Sequence, residues 1–369
     1  MYRTTPPERG DDMPVKNELP SVGLIVDDFL LENAGIPRYS AQLYAGLRQR
    51  GLDVHRVTTR GPRIPYGEAY NHVFRLTSHI LRSTSQLDIL HATCPVTALS
   101  FPLVRKRKVV TFHDCFSILA KRADASGHGR LLLPLVYRTV AAHSDRVIAV
   151  STQTKGELIR DLHVSEEKIV VVNSGIEERF RPLNKVRDKE YYTVGYVGTL
   201  LSPRKRLDYL LAAFHRLKAK HPGLTAKLVL CGDGQGRAVG LRQLADSLGL
   251  CQEVDFAGSV PDEKLVDTYN SFDVFVLPSD WEGFGFTILE AQRCGVPVIV
   301  RKDAHIPEEV SACCLKAGSE EDMADMLHAL LSDDHSRKAL VEEGLEYSQR
   351  FTWDRTVRET VEVYEQILS

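Results

Sequence analysis

Residues 273–300 read DVFVLPSDWEGFGFTILEAQRCGVPVIV. A run of Val, Phe and Leu is followed by a loop with Gly283 and Gly285, a helical stretch from Thr287 to Cys294, and a second apolar run from Val296 to Val300. Unbroken apolar runs of this length fit strands buried on both faces of a parallel sheet, and parallel strands need a crossover helix between them. The same alternation extends in both directions. Upstream in the same half lie Thr193 to Val197, Lys227 to Leu230 and Val254 to Ala257, with helical stretches at Leu207 to Lys220 and Gly236 to Leu248. The first half repeats the pattern with runs at Val22 to Val26, Val54 to Val57, Leu87 to Leu90, Val109 to Phe112, Val147 to Val150 and Ile169 to Val172. Its helical stretches are Pro37 to Arg50, Leu131 to His143 and Thr152 to Leu162. The fold class is therefore α/β, with two doubly wound halves.

The charged, aperiodic stretch EERFRPLNKVRDKEYY, Glu177 to Tyr192, reads as the linker between them. The expected organisation is a disordered leader over 1–20, domains over 21–183 and 184–350, and a tail over 351–369. That tail has apolar residues at Trp353, Val357, Val361, Tyr364, Ile367 and Leu368, the stripe of an amphipathic helix. Open parallel sheets bind ligands at the carboxyl ends of their strands, so two facing sheets would build a site in the cleft between them.

Composition narrows the function. Over 369 residues, 43% are apolar and 26% charged, which is the profile of an ordinary globular protein. A formal net charge of −2 gives no global basic field, and nucleic acid is excluded as a partner. Seven cysteines without a CxxC pair indicate neither a zinc site nor a disulfide framework. The first twenty residues lack an apolar h-region, and no run approaches a membrane span, so the expected compartment is the cytoplasm.

Several loops after strands could carry chemistry. In PSDWEGFGFTILEAQRC, a helix opening after Gly285 would leave the amides around Phe286 to Ile288 free to hold an anion such as a diphosphate, while Gly283 and Gly285 let backbone approach closely. Glu282 before the helix and Glu290 inside it would then flank the anion, each placed to grip a hydroxylated group. The same spacing also fits two solvated glutamates. In GTLLSPRKR, Arg204 and Lys205 stand near a helix start, where the dipole disfavours cations, so their placement suggests an anionic partner. His113, directly after VVTF, can act by hydrogen bonding or proton transfer, or be structural; for His91 the structural role is favoured. Gly35 lies in the turn after the first strand, ahead of Pro37. Gly232-Asp233-Gly234-Gln235-Gly236 fails the dinucleotide fingerprint because position 237 is Arg, and there is no D-x-D triplet. No metal ligand set and no cofactor is expected.

Taken together, Glu282 and Glu290 in EGFGFTILE resemble the E-x7-E motif of the retaining nucleotide-sugar glycosyltransferases of family 4. GTLLSPRKRLDYLLAAF, LVLCGDGQG, VDFAGSVPDEKL, AGIPRYSAQLYAGL and VVTFHD are similar to that family's other loops, so the resemblance covers nearly the whole chain. It implies a GT-B fold, two Rossmann-like domains facing a central cleft with the C-terminal helix crossing back. It implies transfer of a hexose, with retention and without a metal, from a nucleoside-diphosphate sugar of the GDP-mannose or UDP-glucose type to a glycan or lipid-linked acceptor. Arg204, Lys205 and the amides near Phe286 and Thr287 would bind diphosphate, Glu290 the ribose, and Val260 would lie near the base. Glu282, Gly283, Phe284 and Gly285 would hold the sugar, with His113 at the reacting centre and Gly35 approaching from the other domain. Pro37 stands where the family often has a second glycine. The GIPRYS, FHD and SPRKR variants look most like bacterial mannosyltransferases of surface polysaccharide synthesis. A nucleotide-sugar epimerase or hydrolase, and a silent nucleotide-sugar-binding subunit, are the alternative readings. Basic residues at Arg105 to Lys108 and around Leu131 to Leu133 suggest at most a peripheral contact with anionic membrane at its inner face.

Overall fold

The computed structural model describes residues 19–26, 35–58, 80, 86–115, 129–183 and 190–369. Residues 1–18, most of the expected leader, lie outside them.

The first half forms a six-stranded parallel sheet of β1 (Val22–Ile25), β2 (Val54–Val57), β3 (Ile89–Ala92), β4 (Arg107–Phe112), β5 (Arg146–Ala149) and β6 (Ile169–Val171), in the order β2-β1-β3-β4-β5-β6. The second half forms another, of β7 (Tyr192–Val197), β8 (Ala226–Cys231), β9 (Val254–Gly258), β10 (Val274–Leu277), β11 (Val298–Arg301) and β12 (Leu315–Ala317), in the order β12-β11-β10-β7-β8-β9. All recorded strand pairings within the two sheets are parallel. The helices are α1 (Gly35–Gln49), α2 (Gly129–Ala142), α3 (Thr152–Leu162), α4 (Leu207–Lys220), α5 (Gln235–Ser247), α6 (Phe286–Arg293), α7 (Glu320–Ser332), α8 (Asp334–Ser348) and α9 (Trp353–Leu368), besides shorter turns. The strands expected from apolar runs form with shifts of a few residues. The run at Leu87 to Leu90 pairs two residues later, because Asp88 holds Ser21 at the edge and leaves Ile89 to start the ladder.

Both sheets reverse strand order next to their first strand. In the second sheet the reversal falls between β7 and β10, which are direct neighbours, so the loops after Val197 and Leu277 emerge side by side. That is where an open α/β sheet binds its ligand.

The linker expectation needs correction. Phe180 is 1% exposed and packs in the second core, and Tyr192 opens β7, so only the middle of Glu177 to Tyr192 is a candidate connector; residues 184–189 lie outside the described set.

Helix α9 packs on the first core. Thr352 caps it by accepting from the Arg355 amide, and Val357, Val363, Tyr364 and Ile367 are buried with Val22, Leu24, Leu43 and Leu47. Contact with α1 is close enough that a Cβ on Gly46 would lie 2.4 Å from the Val357 side chain. His91 is fully buried and bonded to the Tyr364 hydroxyl at 2.7 Å and the Thr111 hydroxyl at 2.8 Å, the structural role expected for it. Among the described residues no helix is long and apolar enough to cross a membrane.

Candidate active site

The segment Pro278 to Gly285 crosses from β10 to α6 and meets three other loops. Asp280 donates its amide to the Arg204 carbonyl at 2.8 Å, which fixes the two neighbouring loops of the second sheet to one another. The Asp280 carboxylate also receives Arg301 and Arg206, so the cationic turn is braced from its far side. Arg204 and Lys205 sit in a 3-10 turn, Pro203–Lys205, and α4 begins after Arg206, whose φ of 47° breaks the two elements apart. They are thus placed before the helix and not at its start. The anionic partner that their position suggested includes a residue of this chain: Lys205 donates to Glu282 at 2.6 Å, with both side chains largely buried. Burial pushes the Glu282 carboxyl up, but the charge and hydrogen bond of Lys205, with help from Ser279 and Arg204, outweigh it and leave the group below the ordinary carboxylate range.

Gly285 adopts a φ of 104°, which glycine reaches without strain, and this turn lets α6 start at Phe286 with no side chain capping it. The Ile288 amide returns to the Gly285 carbonyl at 3.1 Å, which narrows the expected set of amides open to an anion to Phe286 and Thr287. Phe284 is 5% exposed, its ring set edge-on to those of Phe286 and Phe351, and it anchors the loop to the core. Val260, on the loop after β9, is half-buried against the second core.

The opposite domain contributes directly. Ser151, the cap of α3, donates to the Gly283 carbonyl at 3.0 Å, and Gln153 donates to the Glu282 carbonyl at 3.1 Å. Glu309 accepts from both the amide and the hydroxyl of Thr152 at the start of α3, where a carboxylate is favoured by the helix dipole. Gly283 passes so near β4 that a Cβ there would stand 2.0 Å from the His113 carbonyl oxygen. Gly35 opens α1 facing the Phe286 ring. The Nε2–H of His113 donates to the Thr93 carbonyl at 2.8 Å and the ring meets Tyr39 edge-on. Burial pushes the His113 ring down to about 4 against that hydrogen bond. The imidazole is therefore neutral at neutral pH, with Nε2–H committed to the Thr93 carbonyl.

Glu290 is the most enclosed of the acidic residues singled out from sequence, at 1% exposure. Tyr269 donates to one of its oxygens at 2.6 Å and Arg38, from α1, to the other at 2.7 Å. Arg38 carries no local sign of this role in the sequence, because its partner lies 252 residues away. The basic run at 105–108 is partly spent on its own domain, with Lys106 and Lys108 donating to the carbonyls of Leu87, Phe101 and Val104. The side chains of residues 131–133 lie outside the described set.

Comparison with known proteins agrees with this geometry. Residues 34–180 match the model for Glycosyltransferase Family 4, and residues 177–347 match that for Glycosyl transferases group 1. A D-inositol 3-phosphate glycosyltransferase of Saccharomonospora viridis is 30% identical over 330 residues, covering 82% of this chain and 77% of that protein. One from Rhodococcus jostii is 31% identical over 241 residues, 61% of this chain; the match spans only about half, 53%, of its own length. Among solved structures, sucrose-phosphate synthase of Thermosynechococcus elongatus superposes with a TM-score of 0.79 at 21% identity, covering 95% of this chain and 99% of that one. Anabaena HepE, solved in complex with UDP-glucose, superposes at 0.71 with 18% identity, covering 94% of this chain and 100% of the other. With two facing parallel sheets, paired loops at the strand reversal and both family models spanning 34–347, the chain belongs to glycosyltransferase family 4 and has the GT-B fold.

Proposed function

We propose that this chain transfers a hexose, mannose or glucose, from a nucleoside-diphosphate sugar to a hydroxyl of a glycan, a lipid-linked acceptor or an inositol phosphate, with retention of configuration. The observation that carries the reading is the meeting, at the β7/β10 reversal, of the Arg204-Lys205 turn with the loop that opens α6. When the bond from the sugar C1 to phosphate oxygen breaks, negative charge builds on the leaving diphosphate. Arg204, the donors of Lys205 left beside its bond to Glu282, and the amides of Phe286 and Thr287 would meet that charge, and preorganised positive groups stabilise it most in the transition state. They also supply what a divalent ion would otherwise supply, which is why metal independence is part of the proposal.

Glu290 would accept from ribose hydroxyls, and Val260 would lie beside the base. Glu282 and the backbone of Gly283 to Gly285 would hold the sugar. Lys205 holds the Glu282 carboxylate, which favours front-face attack over a covalent intermediate on that residue. His113 would position the sugar through hydrogen bonding across the closed cleft. Two of the relatives bear inositol phosphate in their names, and solved neighbours hold UDP-glucose; both support a place for those compounds in the test.

The test is a panel of GDP-mannose, UDP-glucose, UDP-N-acetylglucosamine, UDP-galactose and ADP-glucose in the presence of EDTA, read by thermal shift and nucleotide release with and without acceptor. Stabilisation by one donor, lost in Glu290→Ala and in Lys205→Ala, supports the reading. Silence toward every donor and free nucleotide overturns it.

A further inference from the structure

The Arg38 guanidinium crosses the cleft and stands between two carboxylates. Nη1 donates to Glu290 at 2.7 Å, and Nη2 to Glu177. Glu177 is itself held by Gln42 at 3.3 Å and pairs with Arg179 at 3.2 Å. Arg179 reaches both the side chain and the carbonyl of Asp262, at 2.7 and 2.8 Å. Asp262 stands two residues after Val260. An unbroken chain of charge thus runs from α1 to the carboxylate read as the ribose ligand and on to the loop read as the base side.

The energetics of Glu290 depend on this chain. Its own domain offers it the Tyr269 hydroxyl, a single neutral donor, and the ion-pair partner it has among the described residues comes from the other domain. A carboxylate at 1% exposure is strongly disfavoured without a counter-charge. Burial works against the charge of Arg38, but Glu290 and Glu177 outweigh it and hold the guanidinium charged. Each carboxylate oxygen has two acceptor directions, so the bonds from Arg38 and Tyr269 leave capacity for hydroxyl donors.

We propose that Arg38 is a positioning residue for the donor nucleoside: it crosses from the acceptor domain to fix and compensate Glu290, so nucleoside binding and cleft closure stabilise one another. The proposal rests on the reading of Glu290 as the ribose ligand. With the cleft open, Glu290 loses its counter-charge and its fixed position. With the cleft closed, it presents the remaining acceptor sites in one orientation. A ligand that uses Glu290 therefore favours the closed arrangement, and closure raises affinity for that ligand by the same factor.

The test uses the full chain, with GDP and UDP as probes, calorimetric affinities and small-angle scattering. Arg38→Ala is expected to weaken the better-bound nucleotide at least about tenfold, the scale of losing one partner of a desolvated charge pair, and to enlarge the radius of gyration with nucleotide present. Arg38→Lys should recover part of that loss because it restores the charge, which a purely steric role would not do. Unchanged or tighter binding in Arg38→Ala, or Lys behaving no better than Ala, overturns the proposal. Glu290→Ala separates the two levels: if it too leaves affinity unchanged, the ribose reading fails; if it weakens binding while Arg38→Ala does not, this proposal alone fails. Should Arg38→Ala not fold, Glu177→Gln, which removes one anchor of the guanidinium, is expected to weaken binding about threefold, and no change there overturns the proposal as well.

Discussion

Gly283→Ala puts the closeness of the two domains to a direct test. The added methyl would lie 2.0 Å from the His113 carbonyl oxygen, 2.8 Å from the Asp114 Cβ and 3.0 Å from the His113 carbonyl carbon. A relaxed carbon to oxygen contact is about 3.3 Å, so the two segments must separate by about 1.3 Å. Neither can yield locally, because the obstructing atoms are backbone at the end of β4 and Gly283 is tied to α3 through Ser151. The domains must part instead. Parting strains the Ser151 and Gln153 hydrogen bonds to this loop, each contributing about 1 kcal/mol. It also shifts His113 relative to the α6 loop by an amount that, for a catalytic constellation, typically costs on the order of 100-fold in rate. The Arg204-Lys205 turn is untouched and the parting loosens without removing the Arg38 pair with Glu290, so nucleotide affinity should fall by less than about tenfold, while the two weakened hydrogen bonds should lower the unfolding temperature by a few degrees. Initial rates of donor turnover and calorimetric nucleotide affinity on the same preparation measure the two quantities. A Gly283→Ala enzyme that turns over at the parent rate would show that catalysis does not need this approach, and the closed-cleft reasoning would be wrong.

Lys205→Met leaves Glu282 largely buried without its cation, a loss of about 3 kcal/mol in urea denaturation that the double variant with Glu282→Gln should mostly restore; failure of the restoration would refute the pairing. Burial, aided by the nearby His113, pushes the His91 ring down to about 3, and burial holds His113 near 4, so both stay neutral in the folded protein while the unfolded chain takes up protons below about 6.5. The stability contributed by these two rings should therefore be full above that pH and decline as pH falls toward 4, by about 1.4 kcal/mol per group per pH unit. His91→Gln should lower the slope between pH 6 and 5 by about 1 kcal/mol per pH unit in denaturant unfolding, and parallel slopes would refute the assignment. Gly46→Ala drives a methyl into Val357 and should destabilise by about 1–3 kcal/mol, with Val357→Ala in the same chain relieving most of it; an additive double variant would contradict the packing.

What could be read in advance follows a physical line. The buried strands announced themselves because a parallel strand with both faces covered is a run of Val, Ile and Leu, as in Val274–Leu277. β12, Leu315–Ala317, went unseen because it is a three-residue strand only partly buried, with Lys316 in it. The same holds for the site. The spacing of Glu282 and Glu290 and the position of Arg204 and Lys205 are local, and they were legible. That Lys205 spends its charge on Glu282, that Asp280 braces the cationic turn and that Arg38 faces Glu290 all depend on how distant segments meet. His113 shows the limit from the other side: its residue type suggested hydrogen bonding or proton transfer, while its protonation state follows from burial, which the sequence does not display.

The tail helix has a consequence for how this molecule is made. The first core is completed by Val357, Val363, Tyr364 and Ile367, and Ile176 pairs with Thr352, so segments at the far end of the chain finish what begins at Val22. Emerging from the ribosome first, the N-terminal sheet must wait, with the α1 face and the His91 environment uncovered, until the whole second sheet has been synthesised. Contacts so distant in sequence form late, because the loop that joins them must be closed first. Nascent chains arrested before Trp353 should accordingly be captured by holdase chaperones and cut by protease within the first half, and release of the final helix should end both.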